Sequence, residues 1–188
     1  MSDLISVAII GKSSQDLATS LNLSPVPLEE SDLAIFIVSA IDGIVRADID
    51  SWQFARDMYI PSIVVISETD NADLDFDDMT AIASKMLDPV ASKYLVLHSD
   101  AGEPTALIDL TTLKILDYSS GVPSIIESDD EHKELVSEYV LEYQELLEQS
   151  GDDGFTRGLL FPALPWIKAS NLGLDQMKEL INQIPAAG

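Results

Sequence analysis

Gly11, Lys12 and Ser13 are the first residues in the chain whose types could do chemistry, because glycine, lysine and a hydroxyl make up phosphate-binding loops. In such a loop backbone N–H groups surround the phosphates, the lysine reaches the outer phosphates and the hydroxyl binds Mg²⁺. The full pattern is G-x-x-x-x-G-K-(S/T), and the leading glycine and the intervening residues are missing here. Three residues cannot encircle a phosphate, so a simple strand-to-helix turn is the favoured interpretation.

Five aspartates between residues 70 and 78 could in principle bind Ca²⁺. An EF-hand loop needs glycine at its sixth position and glutamate at its twelfth, and the segment lacks both whichever aspartate starts the count. Carboxylates are favoured at helix N-termini, so capping of a following helix is the preferred role.

Histidine and cysteine chemistry has little support. The chain has no cysteine, which excludes disulfides, thiol catalysis and thiolate metal sites. Its two histidines, His98 and His132, form no recognisable triad and lie at no zinc-ligand spacing, so a structural or solvent-facing role is favoured.

Residues 159–167 form the most hydrophobic stretch outside the predicted strands. Two interpretations stand for Phe161, Leu164 and Trp166. The favoured one places them in the core, covering a sheet edge. The other makes them an exposed patch that binds a partner, and among the features of the sequence this is the best candidate for an interface.

The elements that must position these residues alternate between strand and helix over the first hundred residues. That pattern indicates βαβ units and a parallel sheet with right-handed crossovers. Strands are predicted at residues 5–10, 33–38, 63–66, 94–98 and 158–161, a hairpin at 106–117, and helices at 14–23, 48–58, 73–87, 131–149 and 173–184. We predict one three-layer α/β domain with a mostly parallel sheet flanked by helices.

The order of these segments resembles the G domain of translational GTPases, most closely elongation factor G. Residues 31–44 resemble a family strand that runs into a glycine-containing turn and a helix, and residues 60–66 resemble the next strand, which follows a proline. Residues 171–185 resemble the closing helix. The resemblance implies a shortened P-loop GTPase-like module over residues 1–188, in which residues 105–150 are a remnant of the G-domain insertion, made of a hairpin and a long acidic helix.

The family's functional motifs are missing or altered. About ten residues separate the first helix from Leu33, so the DxxG switch region and its strands have no counterpart. The guanine-reading NKxD motif falls at residues 67–70, where Asp70 matches but Ser67 and Glu68 replace asparagine and lysine. The second guanine loop falls near Pro165 and Trp166, where proline removes a backbone donor.

These departures predict a pseudo-GTPase, a non-enzymatic binding or regulatory module without GTP, GDP or Mg²⁺ as a cofactor. Phosphoryl transfer needs a phosphate cradle, a metal and an oriented water together, and no residue could replace all three. The first alternative is guanine-nucleotide binding without hydrolysis, through Lys12, Ser13 and Asp70. The second is a translation factor associated with the ribosome, which rests on family analogy alone.

The charge of the chain bounds its partners. With 33 acidic and 10 basic residues, the formal net charge is -23. Such a surface repels nucleic acid and anionic lipid and favours a basic protein partner, although a solvated acidic coat is the simpler interpretation. The N-terminus lacks the features of a signal peptide, and no apolar run approaches the roughly 18 residues of a membrane span. We expect a cytoplasmic protein, and a homodimer that buries the surfaces left by the shortened domain.

Overall fold

The computed structural model describes residues 5–185, which contain two sheets. The first elements along the chain are β1 (Val7–Gly11), α1 (Ser14–Leu21), β2 (Leu33–Ser39), α2 (Arg46–Asp57), β3 (Ser62–Ser67), α3 (Phe76–Met86) and β4 (Val90–Ala91). They are followed by β5 (Tyr94–His98), β6 (Pro104–Asp109), β7 (Lys114–Asp117), β8 (Ser124–Glu127), α4 (Asp130–Leu135), α5 (Ser137–Ser150), β9 (Phe161–Trp166) and α6 (Leu174–Ile181).

The larger sheet has five parallel strands in the order β1-β2-β3-β9-β4. Every residue of β2 and β3 is buried. A parallel strand covered by helices on both faces is apolar along its whole length, which explains why these two strands were the clearest in the sequence. The predicted α/β architecture, a parallel sheet flanked by helices, is confirmed.

Two helices cover each face of this sheet, and alternate residues of β2 point to opposite layers. Leu33, Ile35 and Ile37 pack with side chains of α1 and α6, whereas Ala34, Phe36 and Val38 pack with those of α2 and α3. This alternation follows from the two-residue period of a strand. The sheet therefore separates two apolar cores.

Each core contains one tryptophan. Trp52 of α2 packs edge-on against Phe36 and Phe161, at ring-centroid distances of 5.0 and 5.1 Å, and its indole N–H donates to the Asp88 carboxylate at 2.7 Å. Trp166, at the end of β9, lies in the other core, and its indole nitrogen is buried without a hydrogen-bond partner. The two indoles thus have different surroundings.

The smaller sheet is antiparallel, in the order β5-β6-β7-β8. The predicted hairpin corresponds to β6 and β7, and the predicted strand at residues 94–98 is confirmed as β5. It pairs antiparallel with β6, however, and so lies outside the parallel sheet that the alternation of strands and helices implied. Only residues 92 and 93 separate β4 from β5. A parallel strand needs a crossover of a dozen or more residues, so β5 could not have continued the larger sheet.

The fourth full-length parallel strand is β9, later in the chain than the predicted strand at residues 158–161. Two prolines, Pro162 and Pro165, concealed it, since proline is avoided inside central strands. In the structure β4 pairs only with Phe161 and Pro162. The remainder of β9 pairs with β3 on one side alone, which is a position where a proline is tolerated.

The long acidic helix predicted over residues 131–149 is divided at Val136 into α4 and α5. Val136 is 2% exposed and packs into the core of the smaller sheet, with Val140 and Tyr143 beside it. Leu135 and Tyr139, which are large apolar side chains of the same segment, are both exposed. Leu135 and Tyr139 lie in one row of apolar side chains along this segment, and Val136 and Val140 lie in the adjacent row. The second row is the one that packs on the smaller sheet.

Gly173 fixes where α6 begins, because its backbone has φ +91° and lies against strand β9. A Cβ atom there would lie 1.7 Å from the Pro165 carbonyl oxygen. Gly43 has a similar φ of +72° but open space where its Cβ would be. An alanine at Gly43 would therefore suffer backbone strain alone, whereas an alanine at Gly173 would suffer both backbone strain and a steric collision.

We expect Gly173→Ala to lower the free energy of unfolding by at least about 3 kcal/mol, because the collision adds to the strain. The matched variant Gly43→Ala should lose only the about 1–2 kcal/mol of a left-handed alanine. Urea unfolding monitored by circular dichroism measures both, and failure of Gly173→Ala to fold agrees with the expectation. Equal losses in the two variants would show that Gly173 does not anchor α6.

Candidate functional site

The carboxyl ends of β1, β2 and β3 meet at one edge of the sheet, where α/β proteins usually place their sites. Lys12 follows β1, Asp42 follows β2 and Glu68 follows β3. The Lys12 ammonium lies 2.7 Å from the Asp42 carboxylate and 3.0 Å from the Glu68 carboxylate. Together with Ser39, these residues form what we call the carboxyl-edge cluster.

Ser39 holds the two acidic arms of the cluster in place. Its buried hydroxyl donates to the Glu68 carboxylate and accepts the backbone N–H groups of Ile41 and Asp42, at 3.2 and 3.1 Å. The backbone N–H of Ala40 also donates to the Ser67 carbonyl at 2.9 Å. The turn after β2 is thereby tied to the end of β3, and both carboxylates face Lys12.

The turn between β1 and α1 is short and lies against β2. Gly11 has φ +113°, and a Cβ atom on it would lie 2.4 Å from the Ile37 carbonyl oxygen. Only Lys12 and Ser13 separate the strand from the helix, and the Ser13 carbonyl already accepts the Leu17 N–H at 3.0 Å. A phosphate cradle needs a longer run of backbone N–H groups, which this turn does not provide.

The charge of the cluster is negative overall, since two carboxylates surround one ammonium. Hydrogen bonds to Asp42 and then to Glu68 raise the pKa of Lys12 above its usual 10.5, so the lysine stays charged. Its charge is already balanced by these neighbours. A phosphate group entering here would meet a net repulsion rather than a free cation.

The structure separates the three residues predicted to bind a nucleotide. Lys12 belongs to the carboxyl-edge cluster, whereas Ser13 is exposed at the start of α1 and makes no side-chain capping bond. Asp70 is exposed in the turn after β3, and within residues 5–185 no ion pair joins it to Lys12. The sequence drew attention to Glu68 through the resemblance of residues 67–70 to the NKxD motif, but it gave no signal that Glu68, Ser39 and Asp42 assemble around Lys12.

The prediction of an exposed patch at Phe161, Leu164 and Trp166 is wrong. All three are buried, with Leu164 and Trp166 in the core under α1 and α6 and Phe161 in the core under α2 and α3. The favoured interpretation, that these side chains belong to the core, is confirmed. The stretch is apolar because β9 lies within the larger sheet.

The aspartates of residues 70–78 precede and cap a helix. Asp75 is the N-cap of α3, and its carboxylate accepts the Asp78 backbone N–H at 2.9 Å, as the capping interpretation predicted. His132 has a similar local role, since its ring nitrogen lies 2.6 Å from the Asp129 carboxylate that caps α4. In the part of the chain that the structure describes, no three histidine or acidic side chains are grouped to hold a metal ion.

A separate cleft of about 340 Å³ lies between α5, α6 and β9, within the size range of small-molecule pockets. Tyr94, Tyr143 and Phe155 give it aromatic walls, and Lys93 and Glu179 give it charged groups. Burial raises the pKa of both tyrosines, so their hydroxyls stay protonated. None of the carboxyl-edge cluster lines this cleft, and nothing in the sequence predicted it.

Comparison with known proteins gives the fold but no family. No family model matches the chain, and no curated protein matches it. Among solved structures, the chain is similar to the crystal structure of ttk003000868 from the bacterium Thermus thermophilus, with a TM-score of 0.71 and 23% identity. The match covers 85% of this chain and 27% of that one, so the chain spans about a quarter of that protein's length. None of the helices within residues 5–185 is long and apolar enough to cross a membrane.

We expect Glu68→Gln to lower the pKa of Lys12, because one of the two carboxylates that hold its proton is lost. The Lys12 pairing stabilises the fold fully below about pH 10.5, and this contribution is lost as the pH rises through the folded pKa. NMR titration of the Lys12 side chain measures the pKa directly. Asp70→Asn is the matched control and should leave it unchanged; an unchanged Lys12 pKa in Glu68→Gln would contradict the cluster.

Proposed function

We propose that this chain is a pseudo-GTPase, a non-catalytic module that uses a GTPase-like α/β framework to bind a protein rather than a nucleotide. The observation that carries the proposal is the pairing of Lys12 with both Asp42 and Glu68. In an active phosphate loop this lysine must be available to the outer phosphates. Here the side chains of the protein occupy it.

The geometry of the β1–α1 connection supports the same conclusion. Two residues cannot direct enough backbone N–H groups towards a pyrophosphate, and the Gly11 backbone lies directly against β2, where a Cβ atom would collide with the Ile37 carbonyl oxygen. In the described part of the chain β1 pairs only with β2, so it forms an edge of the larger sheet. This edge position fits a domain without the strands of the switch region.

The arrangement of the two sheets supports the relationship to G domains. The antiparallel sheet and helices α4 and α5 lie in the chain between β4 and β9 of the parallel sheet. An insertion that interrupts a parallel sheet in this way is what the resemblance to elongation factor G implies for residues 105–150. The P-loop GTPase-like descent of the fold is therefore part of the proposal.

Electrostatics determines the class of partner. The net charge of -23 and the acidic carboxyl-edge cluster disfavour nucleotides, nucleic acid and anionic membranes and favour a basic protein surface. Cytoplasmic action and contact with ribosomal proteins belong to the proposal through family analogy only. Co-sedimentation with ribosomes that salt abolishes is the result that this analogy requires.

We expect GTP and GDP, each with Mg²⁺ at millimolar concentration, to leave the thermal unfolding midpoint of the protein unchanged. A ligand at a thousandfold excess over its dissociation constant would add about 4 kcal/mol to the stability, which differential scanning fluorimetry detects easily. A rise in the midpoint that disappears in both Lys12→Ala and Asp70→Ala would instead establish nucleotide binding without hydrolysis.

A second variant tests whether the negative charge of the cluster or the short β1–α1 connection prevents nucleotide binding. We expect the double substitution Asp42→Asn, Glu68→Lys to make the cluster cationic and to give only weak phosphate binding, because the connection stays short. That binding should be lost in moderate salt and should not distinguish GTP from ATP. Tight, guanine-specific binding by this variant, measured by isothermal titration calorimetry, would show that charge alone had blocked the site.

A further inference from the structure

Strand β8 is an exposed edge of the smaller sheet. It pairs with β7 on one side, and all four of its residues, Ser124–Glu127, are exposed. Its two central side chains are large and apolar, with Ile125 66% and Ile126 47% exposed. Val122, just before the strand, is also exposed. Apolar β-branched residues at an open edge are unusual, because such edges recruit further strands.

Both apolar faces of the smaller sheet continue onto β8. Ile126 is paired with Ile115, which is buried in the core beneath Val136. Ile125 is paired with Leu116, which packs against the core of α1 and α6 on the other face. At its last strand the sheet therefore leaves one apolar side chain exposed on each face, Ile125 on one and Ile126 on the other. An additional strand paired with β8 would place side chains beside both.

The backbone of β8 is available for pairing. In an antiparallel ladder, alternate residues turn their N–H and C=O groups away from the neighbouring strand. Within the described residues, the backbone of Ser124–Glu127 makes no hydrogen bond beyond its ladder with β7. The usual protections of an edge are short length, charged side chains, proline, a bulge or a covering segment. The strand is four residues long, with Pro123 before it and Glu127 at its end, but Ile125 and Ile126 between them carry no charge and the register with β7 is regular.

The charge beside β8 is strongly acidic. Glu127 ends the strand, and Asp129, Asp130 and Glu131 follow within four residues. The nearby Lys114 lies 3.6 Å from Glu127, an exposed pair that contributes little. A second copy of this chain would bring a further net charge of -23 to the same edge. Charge complementarity therefore favours a basic segment of a different protein.

We infer that β8 is the docking edge for an extended basic segment of a partner protein, which adds to the smaller sheet as a fifth strand. The backbone of the partner pairs with the open side of β8, as in other cases of strand addition. Its β-branched side chains cover Ile125 and Ile126, and its lysine or arginine side chains face the acidic run after Glu127. The inference deepens the proposed function by naming the chemistry of the partner, and it rests on that proposal only for the idea that the module binds protein.

A defined peptide tests the docking edge on the full chain. The probe is acetyl-Lys-Lys-Thr-Val-Val-Thr-Lys-Lys-amide, and its affinity is measured by NMR titration of the β8 backbone amides. We expect Ile125→Lys to weaken binding at least about tenfold, because it places a cation at the centre of the interface. The matched control is Leu141→Lys, which changes an equally exposed leucine on α5 and should alter the affinity less than about twofold.

Two altered peptides examine the mechanism of binding. A probe with N-methyl groups on both valines loses backbone donors, and one with glutamate in place of lysine reverses the charge. Both should bind at least about tenfold more weakly than the parent peptide. Equal affinity of the N-methylated peptide would overturn strand addition, and equal affinity of the acidic peptide would overturn the choice of a basic partner.

The oligomeric state decides between a partner and a second copy. In contrast to the homodimer expected from the sequence alone, light scattering should show a monomer for both the native chain and Ile125→Lys. A native dimer that Ile125→Lys converts to a monomer, without peptide affinity, would assign the edge to self-association and overturn the inference. If the peptide does not bind, the docking edge is contradicted while the pseudo-GTPase proposal stands. If GTP or GDP raises the unfolding midpoint, the pseudo-GTPase proposal is contradicted, so the two failures are distinguishable.

Discussion

The close approach of Gly11 to the Ile37 carbonyl is the constraint on which the carboxyl edge of the sheet depends. Gly11 is paired with Ile37 of β2, and a side chain at this position would collide with the Ile37 carbonyl, so glycine is required where β1 ends; α1 begins after two further residues. Lys12 is then held within reach of the turn after β2 and of the end of β3. Ser39 completes the arrangement, because its hydroxyl donates to the Glu68 carboxylate and accepts the backbone N–H of Asp42. The site is consequently closed by side chains of the protein itself, which come from the ends of three neighbouring strands.

The parts of the fold that the sequence predicted are those in which local pattern and burial agree. β2 and β3 are buried on both faces, and their continuous apolar runs need no other information. β9 was obscured by its prolines, and only the short length of β4 explains how they are accommodated. β8 could not be recognised by burial periodicity, because both of its isoleucines are exposed. The division of the acidic helix at Val136 depends on the sheet beneath it, which no helical pattern encodes.

The candidate site could be predicted only in part. The short turn after β1 and the acidic Glu68 after β3 can be read directly from the sequence. The contacts that result from them join residues 12, 39, 42 and 68, which are brought together by the order of three strands. Likewise, the sequence around Leu164 was compatible with an exposed interface as well as with a core strand. Hydrophobicity alone does not distinguish the two, and only the structure shows that Leu164 is buried.

The placement of one tryptophan in each core has a spectroscopic consequence. Trp52 is hydrogen-bonded to a carboxylate in one layer, whereas the indole nitrogen of Trp166 is buried without a hydrogen-bond partner in the other. Because indole emission depends on the polar groups around the ring, we expect the two tryptophans to contribute differently to the intrinsic fluorescence. The chain thus has one fluorescent tryptophan on each side of the larger sheet. If either tryptophan is replaced with phenylalanine, the remaining one follows the unfolding of its own core.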